Sequence, residues 1–187
     1  MQPIYYIYII IALILVWIVS IYNKLVTLKN RVKEAWSDIT VQLKRRYDLI
    51  PNLVETVKAY AKHESSVFTE VTKARTEAMG AKSLPDKAKA ENMLSETLKS
   101  IFAVAENYPQ LRASENFKAL QDELTDTENK IEAARRFYNT QARDLNTARE
   151  VLPNNLFVGI LNIKEVEFFE VDEAEKQAVK SAPKVEF

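Results

Sequence analysis

From Ile4 to Ile21 every position is uncharged, and no Asp, Glu, Lys or Arg occurs before Lys24. A helix of that length covers about 27 Å at about 1.5 Å per residue, enough with its flanks to cross a hydrocarbon core of about 30 Å. The pattern predicts a transmembrane anchor over residues 1–23, carried by Ile4, Tyr5, Tyr8, Ile11, Leu15, Trp17, Ile21 and Tyr22. Its Tyr and Trp residues cluster toward the two ends, where the bilayer interfaces favour them. A cleaved signal peptide is the competing reading, but the segment lacks a basic leading region and a small-x-small cleavage pattern.

Beyond the anchor the pattern changes from continuous to periodic. Leu25, Leu28, Val32, Trp36, Ile39, Leu43, Tyr47 and Ile50 follow steps of three and four, the signature of an almost straight helix continuing out of the membrane. End signals then cluster: Lys44, Arg45 and Arg46 suit a helix C-terminus, Asp48 can cap a new helix, and Pro51 is tolerated in a first turn. These predict a turn near Tyr47 and a second helix over about 49–79, stopped by Gly80 in a left-handed position. The alternative is one helix running on through Pro51, because the apolar phase continues through Val54, Val57, Ala61 and Phe68.

Ser83, Pro85 and Asp86 start a further helix that carries Ala90, Leu94, Leu98, Ile101, Phe102 and Ala105 and ends at Tyr108-Pro109. Ser114 can cap the last and clearest one. There Phe117, Leu124, Ile131, Tyr138, Leu145 and Leu152 recur every seven residues, with Leu120, Thr127, Ala134, Gln141 and Ala148 three further on, until Pro153. Such a seam belongs to a long bundle or coiled coil. The fold class expected is therefore all-α, an N-terminal transmembrane helix continuing into an antiparallel three- or four-helix bundle over residues 24–153. The last helix is longer than the one before it, so part of its seam is a candidate self-association surface as well as core.

Residues 154–171 form an apolar segment around Leu156, Phe157, Ile160 and Leu161. A continuous apolar run has no polar face, which argues for packing on the bundle; contact with the membrane surface is the other reading. Residues 172–187, acidic on balance, read as a mobile tail.

Composition narrows the chemistry. Lysine plus arginine equals aspartate plus glutamate at 26 each, so no charge excess attracts nucleic acid. The absence of cysteine removes disulfides, thiol nucleophiles and thiolate metal sites, and two glycines cannot build a phosphate-cradling loop. A carboxylate-bridged metal site in a bundle needs two Glu-x-x-His motifs, whereas the one histidine, His63, has Tyr60 three residues before it. His63 reads as a solvated residue within a helix. No catalytic residue, cofactor or metal site is expected.

The polar residues beside the apolar stripes are more numerous than a Leu-rich bundle needs: Asn30-Arg31, Arg45-Arg46, Asp48, Asn52, Glu55, Glu106-Asn107, Glu128-Asn129, Arg135-Arg136 and Asn139. Most should be exposed, with a few buried pairs fixing helix register. A polar groove in which Asn reads a peptide backbone is the functional alternative.

Between Tyr22 and Tyr47 lie seven basic residues (Lys24, Lys29, Arg31, Lys33, Lys44, Arg45, Arg46) against two acidic ones (Glu34, Asp38). The positive-inside tendency then puts Met1 outside and the bundle in the cytoplasm. Lys24, Lys29, Arg31 and Lys33 suit anionic lipid headgroups.

Four stretches resemble the LemA family of bacterial membrane-anchored proteins: YNKLV from Tyr22, NRVKEAWSDITVQLKRRYDLIPNLVETVKAYAKHE from Asn30, FAVAENYPQLRASENFKALQDEL from Phe102 and TENKIEAARRFYNTQARDLNT from Thr127. The ending LPNNLFVGILNIKEVEFFEV is also similar, although family members often carry Phe-Pro where this chain has Leu152-Pro153. The resemblance implies a transmembrane helix and a cytoplasmic bundle in the bacterial inner membrane. It supplies no catalytic residues. The function expected is a non-catalytic, self-associating scaffold that organises or shapes membrane, with the lipid bilayer and further copies of the chain as partners. The alternative is an adaptor whose bundle binds another membrane or envelope-stress protein.

Overall fold

A computed structural model describes residues 3–169, with side chains from Tyr5 onward; the side chain of Ile4 and the acidic tail over 172–187 lie outside the described residues. Six helices and no strand occur among them: α1 (Pro3–Tyr60), α2 (Ser65–Gly80), α3 (Leu84–Glu106), α4 (Pro109–Ala113), α5 (Glu115–Glu150) and α6 (Asn155–Val158). They fall into two compact units, one of residues 3–38 and 134–168 and one of 39–133 and 169.

In the second unit each helix reverses on its predecessor. Arg75 of α2 reaches Tyr47 of α1, Lys87 of α3 reaches Ala78 of α2, and α5 returns along α3 through Ser95 to Glu128 and Phe102 to Phe117. Short connections enforce that alternation. The buried positions of α1 here are Ile39, Leu43, Tyr47, Ile50, Leu53 and Val57, with Ala61 buried just beyond its end. Phe68, Val71, Ala74 and Ala78 come from α2, Leu94, Leu98, Ile101 and Ala105 from α3, and Phe117, Leu124 and Ile131 from α5. All follow helical spacing, and each large aliphatic withdrawn from water contributes about 1.5–3 kcal/mol.

The turn expected near Tyr47 does not exist: α1 runs through Pro51 without interruption. Proline at 51 has no N–H for the carbonyl four residues earlier, which is that of Tyr47. Arg75 Nε donates to that oxygen at 2.8 Å, so the missing helical bond is replaced from α2. The chain breaks instead at residues 61–64, which puts His63, exposed, in the break and not inside a helix. No proline or glycine marks that break, and Glu64 caps α2 without a side-chain bond. Gly80 is the last residue of α2 and does not take a positive φ; the chain leaves through Ala81 in an extended conformation (φ −64°, ψ 127°).

Elsewhere the local signals hold. Ser83 Oγ accepts from the Asp86 N–H at 3.2 Å with Pro85 in the first turn of α3, and Ser114 Oγ accepts from the Phe117 N–H at 3.5 Å at the start of α5. The short α4, which the sequence pattern did not announce, packs on α3 and buries Leu111.

The first unit holds the N-terminal part of α1 and the C-terminal part of α5. Trp36 and Tyr138 meet edge to face, 5.7 Å between ring centroids. From that contact α1 extends toward its N-terminus and α5 toward its C-terminus within one compact unit, so the two helices run antiparallel. Ile21, Leu25, Val32 and Ala35 are buried on α1, and Tyr138, Ala142, Leu145 and Ala148 on α5.

Candidate functional site

Two features stand apart from an ordinary apolar bundle. The first, in the second unit, is a cluster of buried charges. Arg46 falls between Leu43 and Ile50 on the inner face of α1, and Glu91 falls on the buried stripe of α3 three residues before Leu94. Both are fully buried, and the Arg46 guanidinium donates to the Glu91 carboxylate. It also donates to Glu128 Oε2 at 2.5 Å and to Ser95 Oγ at 3.0 Å, while Ser95 Oγ donates to Glu128 Oε1 at 2.9 Å. The Tyr47 hydroxyl donates to the other oxygen of Glu91. Lys87 Nζ stands 3.7 Å from Glu91 and 5.4 Å from the centre of the Tyr47 ring, and donates to the Ala78 carbonyl at 2.8 Å.

Two cations thus meet two carboxylates, and the cluster is neutral. Taking charges out of water is tolerable only when each is paired and hydrogen-bonded; the terminal nitrogens of Arg46 and both carboxylates meet that condition, while Arg46 Nε is buried without an acceptor. The arrangement ties α1, α3 and α5 into one register and leaves no lone carboxylate or base pointing at solvent. It is a fold-specifying device, the register role expected for a minority of the polar residues. Glu91, Ser95 and Lys87 were not singled out from the sequence; the readable signal was a glutamate on the inner stripe of α3.

The neighbouring Arg45 lies on the surface, 3.4 Å from Asp126 and 3.7 Å from Glu123. A hydrogen bond from Lys130 holds the Asp126 carboxyl below its usual value of 3.8; loss of solvation opposes it, and the charges of Lys130 and Arg45 add to it. Asn30, Arg31, Asp48, Asn52, Glu55, Glu106, Asn107, Asn129 and Arg136 are exposed or half-buried, as are Arg135 and Asn139. An open groove on α1 is lined by Val41, Lys44, Arg45, Asp48, Leu49 and Asn52. Among the described residues no group of three or more His, Asp or Glu side chains is disposed to hold a metal ion.

The second feature lies in the first unit. Tyr5, Tyr8, Ile11, Leu15, Trp17 and Tyr22 of α1 are exposed, whereas Ile18 is half-buried and Ile21 buried. Lys24, Arg31 and Lys33 are exposed and Lys29 is half-buried. The seam residues Phe117, Leu124, Ile131, Tyr138 and Leu145 are buried within the chain itself. Leu152 is not: α5 ends at Glu150, and Leu152 stands 74% exposed before a cis bond to Pro153. Of the apolar segment, Leu156 and Ile160 are 67% and 81% exposed, and Phe157 and Leu161 half-buried. Packing on the bundle therefore accounts for only part of it.

After Asn162, in the left-handed region at φ 46°, the chain turns back along α5. Asn146, buried, brackets Val166: its Nδ2 donates to the Val166 carbonyl at 2.8 Å and its Oδ1 accepts from the Val166 N–H at 3.0 Å. Arg149 Nε donates to the Ile163 carbonyl at 3.2 Å, and the Tyr138 hydroxyl to the Glu167 carbonyl at 3.1 Å. Burial, and then the charge of Glu167, raises the Tyr138 phenol above its usual value. An asparagine does read a peptide backbone in this molecule, but the peptide is the chain's own segment 163–167.

Among the described residues one helix is long and apolar enough to cross a membrane, and it continues into a helical bundle, the makeup of a membrane-associated all-α protein. The chain belongs to the LemA family, whose sequence model matches residues 35–187. It is similar to Magnetosome protein MamQ of Magnetospirillum gryphiswaldense, 25% identical over 174 aligned residues covering 79% of this chain and 64% of the relative. Magnetosome protein MamQ 2 of Paramagnetospirillum magneticum is 25% identical over 175 residues, covering 80% and 64%. The chain thus spans under two thirds of the length of these relatives.

Proposed function

We propose that the protein is a non-catalytic, single-pass scaffold of the bacterial inner membrane, with its N-terminus outside and its bundle in the cytoplasm, that self-associates and organises or shapes membrane. The observation that carries this reading is the continuity of α1: the helix whose uncharged residues 5–17 are exposed becomes a helix with a buried face from Ile21 onward. Within the first unit the anchor and its packed continuation, residues 21–38, are one helix, which suits a positional role. The paired charges around Arg46 suit such a role, since they tie helices together in one register. The names of the MamQ relatives associate those proteins with magnetosomes.

Because the α5 seam is used inside the chain, copies would meet through other faces: the uncovered side chains from Tyr5 to Val19 within the bilayer, and the α1 groove around the exposed Val41. Light scattering on gently extracted full-length protein should give a multiple of the 21.5 kDa chain mass. A monomer at high concentration, together with no self-crosslinks in native membranes, would remove self-association from this reading.

A further inference from the structure

We infer that residues 151–161 form a second membrane contact, an apolar tip resting in the bilayer interface beside the anchor. The inference rests on the reading that α1 spans a bilayer and adds a contact which that reading does not require.

Register places the tip. In the first unit Trp36 faces Tyr138 on antiparallel helices. Twelve residues take α1 back from Trp36 to Lys24 and α5 on from Tyr138 to Glu150, about 18 Å along each helix at about 1.5 Å per residue. The end of α5 therefore lies level with Lys24, at the cytoplasmic edge of the uncharged stretch of α1. Burial points to the same end of α1: Ile18 is half-buried and Ile21 buried, and within this unit residues 134–168 are what lies beside them.

Chemistry then identifies what the tip meets. Residues 151–163 carry no charged side chain in a chain that is 28% charged overall. Leu152, Leu156 and Ile160, four residues apart, are the most exposed of its large aliphatics, and Val151 beside them is 45% exposed. An exposed apolar cluster at the level where a transmembrane helix enters its bilayer continues the anchor's own apolar surface, and lipid is the occupant. Arg149-Glu150 and Lys164-Glu165 flank the tip with balanced charge and Lys24 lies at the same level, so charged side chains stand at the edges of the apolar run and none within it, the placement of a segment seated at a bilayer interface.

The chain contains no cysteine, so a single introduced thiol reports one position. Leu156→Cys and Ile160→Cys, each carrying an environment-sensitive fluorophore, would be compared in full-length protein reconstituted into phosphatidylcholine and phosphatidylglycerol vesicles. Leu13→Cys in the anchor and Lys118→Cys on the exposed side of α5 serve as references. All four positions are exposed in the folded chain, so the substitutions leave packing intact. At positions 156 and 160 a nitroxide placed high on the lipid acyl chain should quench strongly, and aqueous iodide several-fold less than at position 118. Iodide quenching equal to that at position 118, with position 13 shielded, would overturn the tip contact while leaving the anchor standing. Iodide access at position 13 would remove the anchor, and the tip contact with it.

Discussion

The buried charges of the second unit and the exposed aliphatics of the first reverse the usual assignment of inside and outside, and they do so for different reasons. Arg46 and Glu91 are fully withdrawn from water yet paired with each other and with Glu128, Ser95 and Tyr47, so the charges of that region find their partners within the chain. Leu152, Leu156 and Ile160 are apolar and stand clear of the chain, so their region is complete only against something outside it. A buried polar group and an exposed apolar patch are the two informative departures from ordinary burial. Here the first identifies the fold's register and the second its contact with the surroundings.

The largest expected effect tests the closed region. Glu91→Ala leaves the Arg46 guanidinium without its buried partner and the Tyr47 hydroxyl without its acceptor, a loss of about 3–5 kcal/mol in chemical unfolding of the detergent-solubilised protein. Replacing Arg46 and Glu91 together, by Met and Leu, should recover stability relative to the single change, because no unpaired charge remains in that pair. If Glu91→Ala costs no more than a surface substitution, the cluster is not the closed device described.

A smaller effect concerns a single buried carbonyl. Arg75→Ala removes the donor that replaces the helical bond missing at Pro51 and should cost about 1–3 kcal/mol. Pro51→Ala restores an N–H four residues after Tyr47, so adding it to Arg75→Ala should return part of that loss. A cost for Arg75→Ala that is the same with and without Pro51→Ala would show that the Tyr47 carbonyl is not the group that matters.

These two residues also show where the sequence was readable. Ser83, Pro85, Asp86 and Ser114 act locally, and the starts of α3 and α5 followed from them; the seam from Phe117 to Leu145 needed only its seven-residue spacing. Pro51 was misread because what rescues it comes from Arg75, distant in sequence. The break at residues 61–64 carries no proline or glycine, so nothing local in the sequence announces it, although α2 turns back there to bring Arg75 to Tyr47. For the candidate sites, Arg46 stood out as a charge beside an apolar stripe, but its partner Glu91 did not, since pairing across helices has no local trace. The tip was visible as an apolar run; that it is uncovered depends on α5 ending before Leu152 and on the return of segment 163–167 along Asn146.

The open region predicts near silence where the closed one predicts collapse. Leu156→Ser with Ile160→Ser should leave unfolding in detergent within about 0.5 kcal/mol per site, as exposed positions do. Leu145→Ala, on the buried face of α5 in the same unit, should cost about 2–5 kcal/mol. Comparable losses from both would mean that the tip is packed and that the contrast with the charge cluster fails.

The smallest effects are titrations, and they carry opposite signs. Burial and Glu167 raise the Tyr138 phenol, so the folded chain keeps that proton longer than the unfolded chain. The associated stability is fully present below the ordinary value of 10.0 and is lost as pH rises from there through the folded value. Glu167→Gln should bring the Tyr138 midpoint down only part of the way, because burial is the leading cause; a complete return would make the Glu167 charge the main one. Asp126 behaves in reverse. The hydrogen bond from Lys130 lowers its carboxyl, so its contribution is present above 3.8 and disappears as pH falls through the lower folded value. Lys130→Ala should move the Asp126 midpoint, followed by carboxyl NMR, back toward 3.8 with little change in unfolding at neutral pH, because exposed pairs are weak. A midpoint unmoved by that substitution would assign the shift to Arg45, and with it a tighter tie between α1 and α5 at the surface than the buried cluster beside it requires.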